Sequence, residues 1–454
     1  MDERYGLDFG TSNSSIAIAQ DGAVRVLPVD PSSANPGVTS SVLFVDNKGN
    51  ASVGSEAIRN FVEKNTGRKI VRRRVSSGKT IETTFGEEFV QFDADVDLPG
   101  RFFQAIKSSL PNELYEGTDI FGSFHTIEKL AAKILRQLKT RADEILGREI
   151  DKVVMGRPVH FSRDPMGDAL AQSRLWEAAR FAGFKEIDFV FEPIGAALAY
   201  EAGLEREETA LVFDFGGGTL DFTVIRLGPG RVQKPDRSKD VLSTGGIVLG
   251  GNTFDEEIME RKLMKYFGAG YSGATMTGVK IHLPYWILGQ LRSWYTIPLL
   301  NERDTIRLLN ELKAAATKGR REISALLTLV EKNYGWSLFE EIERAKIALS
   351  SDTFTDITFQ KEDIDIDESL TRKQFEIIIA DHLDSIDTGI EDTVRSAGLA
   401  PGDIDVVIRT GGSSLIPAIQ KMLEAKFGPE KVNRQDVFTS VVKGLALAGA
   451  SKFR

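Results

Sequence analysis

Two acidic residues flanking a run of glycines are the strongest chemical signal in this sequence. The stretch LVFDFGGGTLDFTVI (Leu211 to Ile225) ends an apolar run at Asp214, continues through Gly216, Gly217 and Gly218, and resumes strand-like alternation after Thr219 and Asp221. A strand, a glycine hinge and a second strand are the simplest reading. Glycines let backbone N–H groups come close to an anion, which is how a phosphate is held without a dedicated cation. Asp214 and Asp221 beside such a cradle would repel a phosphate, so the pair points to an intervening Mg²⁺ with its water shell. The stretch alone leaves an ordinary glycine-rich hairpin open.

The pattern occurs twice. Near the start, Asp8-Phe9-Gly10 repeats Asp214-Phe215-Gly216, with a turn at Gly10 to Ser14 and a second strand from Ile16. Two such units some 200 residues apart imply a duplicated, two-lobed architecture with one phosphate-facing hairpin per lobe. Neither hairpin runs directly into a helix, which argues against a Walker loop or a dinucleotide fingerprint. Glu192-Pro193 follows a short strand and opens a helical stretch. Glu192 therefore sits at a strand's carboxyl end, where α/β proteins place ligand-facing groups, or else it simply caps the helix. The turn TGGSS (Thr410 to Ser414) stands between a strand and a helix and is a third phosphate or nucleoside contact.

The elements that must position these residues alternate. Strands are expected over 36–45, 51–53, 152–159, 187–191 and 404–409, and helices from about Ser55, over Ile127 to Leu146 (Leu130, Ile134 and Leu138 on helical spacing), Asp168 to Ala182 and Pro417 to Phe427. LGGNTFDEEIMERKLM (Leu249 to Met264) is a glycine turn feeding a helix, and Lys265 to Lys346 reads as mostly helical, with Trp286, Trp294 and Trp336 in the core. Asp356 to Ile366 reads as one strand, with the acidic run Lys361 to Glu368 solvated, and Thr371 to Gly398 as one long helix. The basic stretch Gly67 to Lys79 reads as a solvated hairpin or loop.

The chain of 454 residues carries a net charge of −9, no cysteine and four unclustered histidines. This excludes disulfide and thiolate chemistry and argues against a zinc site and a general nucleic-acid or anionic-membrane binder. No apolar run approaches a membrane span and the charged N-terminus does not read as a signal peptide, so a cytoplasmic, monomeric protein is expected.

In order and spacing, GLDFGTSNS (Gly6 to Ser14), FEPIGAALAY (Phe191 to Tyr200), VFDFGGGTLD (Val212 to Asp221), LGGNTFD (Leu249 to Asp255), ERAKIALSS (Glu343 to Ser351), SLTRKQFE (Ser369 to Glu376) and GGSSLIPAIQ (Gly411 to Gln420) together resemble the nucleotide-binding domain of the seventy-kilodalton heat-shock chaperones, within the actin-like ATPase superfamily. The resemblance implies an α/β, duplicated two-lobed actin-like (ribonuclease-H-like) fold with ATP in the cleft, lobe I over 1–205 and lobe II over 206–454, with a helical subdomain at about 255–346. It implies that Asp8, Asp214 and Asp221 hold Mg²⁺ through its waters, that Gly10, Thr11, Ser12, Asn13, Gly216, Gly217, Gly218 and Thr219 cradle the phosphates of ATP or ADP, and that Glu192 lies in the metal's outer shell. Asp214 or Asp221 would orient the attacking water. Gly250, Gly251, Gly411, Gly412, Ser413 and Leu415 would line the nucleoside, and Glu343, Lys346 and Ser350 would meet ribose and adenine.

Three departures qualify that reading. At the position taken here for the family's catalytic lysine, in a G-x-x-A-K context, GSEAIR places Ile58; losing such a charge lowers rates ~10²–10³-fold, so hydrolysis is expected to be slow unless Arg59 or Lys107 reaches the site. Ile347 and Leu415 stand where the resemblance expects adenine-stacking arginines. The sequence ends at Arg454, so no peptide-binding domain is expected. The expectation is a chaperone-like ATPase with a possible partner or co-chaperone on the helical subdomain; the alternative is an ATP-binding regulator or scaffold that does not hydrolyse.

Overall fold

The computed structural model describes residues 3–20, 23–65, 68, 72–83, 86–95, 97–162, 164–231, 237–274, 278–432 and 439–451. The chain groups into two compact units, Met1–Asn60 with Arg101–Thr253 and Ile379–Arg454, and Phe61–Gly100 with Phe254–Ile378. The expected lobe boundary at 205/206 falls inside the first unit, between its two main sheets.

Those two sheets repeat one topology. The first orders its strands Glu186–Phe191, Lys152–Arg157, Tyr5–Phe9, Asn13–Gln20 and Ala23–Val26, with Thr39–Ser40 pairing Asn13–Gln20. Tyr5–Phe9 is parallel to Lys152–Arg157 and antiparallel to its hairpin partner. The second orders Val406–Thr410, Glu208–Phe215, Leu220–Leu227 and Val241–Ile247. Glu208–Phe215 is likewise parallel to the later strand and antiparallel to its hairpin partner, and a parallel bridge from Val407 to Val432 extends the sheet in the same sense. Tyr5, Leu7 and Phe9, and Ala210 to Phe213 in the counterpart, are buried. Such apolar runs are what strands covered on both faces require.

Helices close over the first sheet. Ile127–Leu146 starts at Thr126, whose side chain accepts from Lys129 N, stops at Gly147 (φ 68°), and buries Leu130, Ile134, Leu135 and Leu138. Pro165–Ala182 packs beside it, with Asp164 as N-cap and Pro165 in the first turn. The helix Ser440–Ser451 crosses Glu192–Glu201 and lies on Tyr5–Phe9. That crossing needs bare backbone: a Cβ on Gly444 would fall 1.8 Å from Gly195 O, and one on Gly6 would fall 2.3 Å from Ala446 N.

The second unit contains the antiparallel hairpin Arg72–Thr83/Gly86–Asp95, the helices Arg303–Ala315, Arg320–Glu331 and Gly335–Ser351, and the hairpin Phe354–Lys361/Ile364–Thr371. Of the expected basic hairpin or loop, the described part from Arg72 is a hairpin strand, while Gly67 and 69–71 lie outside the described residues. Of three expectations, the mostly helical stretch holds with an interruption, the solvated acidic run holds except at Glu368, and the single long helix is corrected. The stretch 265–346 is interrupted by a three-stranded sheet of Ser272–Ala274, Lys280–Ile281 and Ala316–Lys318. The acidic run 361–368 is the turn and second strand of a hairpin whose alternation buries Ile364, Ile366 and Glu368; Glu368 meets Lys262 and Lys265 at 2.8 and 2.6 Å. The long helix is two, Arg372–Ile378 and Ala380–Ser396, broken at Ile379. Trp294 joins an edge-to-face cluster with Trp336 and Phe61, whereas Trp286 is half exposed. Among the described residues no helix is long and apolar enough to cross a membrane.

Candidate active site

Each glycine turn is a hairpin loop of the same length. Four residues separate Phe9 from its register partner Ser14, and four separate Phe215 from Leu220. Each loop is closed by the same hydrogen bond, Gly10 N to Asn13 O at 2.9 Å and Gly216 N to Thr219 O at 3.0 Å. The loop tips meet within the first unit: a Cβ on Gly217 would stand 2.9 Å from Ser12 Oγ, and one on Gly218 would stand 3.7 Å from Thr11 Cγ2. Side chains at either glycine would fill the space that lets the tips approach.

Two further segments brace the second loop from behind. Gly251 N and Asn252 N donate to Gly216 O and Gly217 O at 3.1 and 2.9 Å. A Cβ on Gly250 would overlap Gly217 O at 2.0 Å, and one on Gly411 (φ 79°) would lie 2.2 Å from Phe215 O. Ser413 Oγ donates to Gly216 O at 3.2 Å. The structure therefore brings Gly250, Gly251, Gly411 and Ser413 against the glycine loop, with Gly412 beginning the short turn that ends at the partly exposed Leu415.

The carboxylates line the floor. Asp214 pairs across the hairpin with Asp221, and Thr219 Oγ1 donates to Asp221 Oδ2 at 3.2 Å. Asp8 occupies the matching position of the first hairpin, opposite Ser15. Glu192 is the first residue of its helix, but the N-cap is Phe191 and makes no side-chain cap bond. Instead of capping, the Glu192 carboxylate accepts from Lys107 Nζ at 2.6 Å, and the two side chains are only 15 % and 8 % exposed. Gly156 makes room for this carboxylate, since a Cβ there would stand 3.0 Å from Glu192 Cγ.

Lys107 fulfils the condition attached to the missing cation. It lies on the short helix Ile106–Ser109, launched from Ala105 in the left-handed region at φ 52°, a conformation that costs an alanine about 1 kcal/mol. Burial alone would lower the ammonium's pKa, but Glu192, Asp8 and Asp221 outweigh it and raise it, so Lys107 stays charged. Ile58 is buried in the helix Ser55–Asn65, and Arg59 is exposed. Sequence spacing gave no signal for Lys107, because nothing local ties residue 107 to Glu192, 85 positions later.

One lysine does not balance four carboxylates. Loss of surrounding water, then repulsion from Glu192, raises Asp8 to about 7 against the pull of Lys107. Asp214 is raised well above the carboxylate range by burial, then by Asp221, Glu192 and Asp8. Asp221, although on the exposed rim, is raised to about 6 by lost solvation and Glu192, with Thr219 and Lys107 acting against the rise. Among the described residues no three acidic or histidine side chains come together as direct ligands to one ion. The excess of negative charge fits a divalent cation that keeps its own waters, as Mg²⁺ does.

In the second unit, Glu343, Lys346 and Ser350 share one face of Gly335–Ser351, together with the exposed Ile347. Lys346 Nζ pairs with the buried Asp255 at 2.7 Å, and Asp255 Oδ1 has no hydrogen-bond partner. Burial raises Asp255 to about 6 against the opposing pull of Lys346. Asp255 is a residue that sequence reasoning passed over.

Comparison with known proteins agrees with this architecture. The chain is 27 % identical over 458 positions to the chaperone protein dnaK of Cyanidium caldarium, covering 100 % of this chain and 62 % of that protein. It is 27 % identical to the stromal 70 kDa heat shock-related protein, chloroplastic, of Pisum sativum, covering 98 % of this chain and 53 % of that protein. The chaperone protein dnaK of Emiliania huxleyi is also 27 % identical, with 96 % and 58 % covered. The chain thus spans between about half and three fifths of the curated relatives' length. The profile of the Hsp70 protein family matches residues 4–272 and 306–451, so the chain belongs to the Hsp70 family and has its actin-like ATPase fold.

Proposed function

We propose that this protein binds Mg·ATP and hydrolyses it to ADP and phosphate, as a chaperone-like member of its family. The observation that carries the proposal is the buried Lys107–Glu192 pair at 2.6 Å, set among Asp8, Asp214 and Asp221 below two facing glycine hairpins. The backbone of Gly10 to Asn13 and of Gly216 to Thr219 binds the phosphates. Asp8, Asp214 and Asp221 hold the hydrated Mg²⁺, whose chemistry is to neutralise phosphate charge. Lys107 stabilises the charge that develops on the γ-phosphoryl group. Asp214 or Asp221 orients the attacking water, whose oxygen bonds to the γ-phosphorus as the bond to the bridging oxygen of ADP breaks. Phosphoryl transfer of this kind depends on positioning and electrostatics more than on covalent help from the protein. Gly250, Gly251, Gly411, Gly412, Ser413 and Leu415 contribute to the nucleoside side, as do Glu343, Lys346 and Ser350.

With Lys107 in that role the proposal needs no cation at Ile58, and whether turnover is slow, as Ile58 leads one to expect, is what single-turnover hydrolysis reads. A monomeric, cytoplasmic protein whose partners are ATP and another protein rather than nucleic acid or membrane, with lobes at 1–205 and 206–454, completes the proposal. Single-turnover hydrolysis of γ-labelled ATP, with and without Mg²⁺, tests it. Mg²⁺-dependent release of phosphate is expected; ATP binding without release would favour the non-hydrolysing regulator instead.

A further inference from the structure

The family match breaks between residues 272 and 306, and the described residues of that gap from 278 onward are firmly held. Ile287, Leu291, Ile297 and Leu300 are fully or almost fully buried. Arg292 reaches Glu257 at 3.4 Å and Glu260 at 3.2 Å, and Ser293 Oγ donates to Glu256 at 2.5 Å. Trp294 locks edge-to-face onto Trp336 with centroids 4.8 Å apart. The helix Tyr285–Gln290 packs against the turn Ile297–Leu300.

Its outward side is apolar and aromatic. Tyr285 is 90 % exposed, Val279 61 %, Trp286 52 %, Leu299 50 % and Tyr295 40 %. Taking a few hundred square ångströms as the ordinary size of a monomer's apolar patch, two tyrosines, a tryptophan, a leucine and a valine reach its upper end, on the order of 500 Å². Tyr, Trp and Arg are also the residues that anchor protein interfaces.

The charge around the patch selects the occupant. From Gly268 through Asn301 there is no Asp or Glu, although the whole chain has 66 of them and a net charge of −9. The charged groups in that stretch are Lys280, Arg292 and the titratable His282. Arg292 is engaged by Glu257 and Glu260, whereas Lys280 and His282 are exposed and have no acidic partner among the described residues. Two copies meeting face to face across a twofold axis would set these cations against their own images. An anionic bilayer is recruited by clusters of 4–8 basic residues, which this stretch does not contain. We propose that the face formed by Val279, Tyr285, Trp286, Tyr295 and Leu299, with Lys280 beside it, docks a partner protein through an apolar peptide segment flanked by carboxylates.

The test selects a phage-displayed library of random dodecapeptides on the full chain. The proposal expects enriched peptides with aromatic or aliphatic anchors between Asp or Glu. A synthetic copy of one should bind wild type and lose at least tenfold in affinity when Tyr285→Ser and Trp286→Ser are combined, and severalfold for Lys280→Glu. The variants should keep their melting temperature and ATP hydrolysis, which separates failure of the surface from failure of the ATPase reading. Selection of patch-independent or basic peptides would overturn the proposal. So would self-association in sedimentation velocity abolished by Trp286→Ser, or co-sedimentation with phosphatidylserine vesicles that the same substitution removes.

Discussion

Replacing Lys107 by alanine is the sharpest test of the site. Its ammonium lies 2.6 Å from Glu192 and acts on Asp8 and Asp221 as well. A unit charge about 4 Å from a developing oxyanion, at an effective dielectric of about 20, interacts by about 4 kcal/mol, and mutational losses of one preorganised donor run at ~10²–10³ in kcat. Lys107→Ala should therefore slow single-turnover hydrolysis by roughly 10²–10³-fold while ATP binding persists. The companion variant, Ile58→Lys, should give no acceleration in the wild-type background, because the cation is already supplied from the helix Ile106–Ser109. It should instead lower stability, since Ile58 is only 8 % exposed and a lysine there would be buried away from water. The assay is quench-flow or manual single turnover with excess protein, with each variant's denaturation midpoint measured in parallel. A Lys107→Ala rate within threefold of wild type would refute the assignment. A large gain on Ile58→Lys would mean that the catalytic cation is missing after all.

Three further outcomes follow from the same geometry. Asp8 and Asp221 are raised from 3.8 to about 7 and about 6, so the folded chain retains protons that the unfolded chain releases; stability from these groups is greatest below about pH 4 and is lost as pH rises towards 7. Melting temperature should fall between pH 5 and 7.5, less steeply in Asp8→Asn, and added Mg²⁺ should recover part of the loss; no change in slope for Asp8→Asn would dismiss the charge-crowding account. Gly250→Ala, whose Cβ would lie 2.0 Å from Gly217 O, should destabilise by about 1–3 kcal/mol through overpacking and weaken ATP binding in fluorescence titration, and an unperturbed variant would contradict the bracing role. Asp255→Ala removes the buried partner 2.7 Å from Lys346 and should lower stability by about 3–5 kcal/mol in a urea unfolding series; a change below 1 kcal/mol would leave that pair without structural weight.

Periodicity was enough to place Ile127–Leu146 and Pro417–Phe427, because each helix carries its own apolar face and its own stop, such as Gly147 at φ 68°. The hairpins were legible for a similar reason: Asp, Phe and Gly mark the end of one strand, and the return strand follows within a few residues. What stayed hidden depended on contacts across the fold. The acidic run 361–368 is solvated at Glu362, Asp363, Asp365 and Asp367, as its charge suggested, but Glu368 is buried where Lys262 and Lys265 compensate it. Lys107 was visible only as a conditional candidate, since its role depends on Ala105 turning the chain and on Glu192 arriving at the start of a distant helix. Trp286 looked like core from its apolar neighbours, although its exposure is decided by what packs over the segment.

The two hairpins also differ in a way that assigns their roles. They share loop length, closing hydrogen bond and the aspartate at the end of the first strand, but the residue facing that aspartate is Ser15 in one and Asp221 in the other. Ser15 is buried and brings no charge, so Asp8 answers first to its own burial and then to Glu192 and Lys107. Asp214 answers first, after burial, to Asp221, and two facing carboxylates cannot both ionise freely. Asp221 stands at an exposed position where the Thr219 hydroxyl donates to it at 3.2 Å, which is where a carboxylate could orient a water. On the proposed reading the duplicated scaffold would offer two phosphate cradles of like build, and the acid that replaces a hydroxyl across the second hairpin would put Asp221 where it can orient the attacking water.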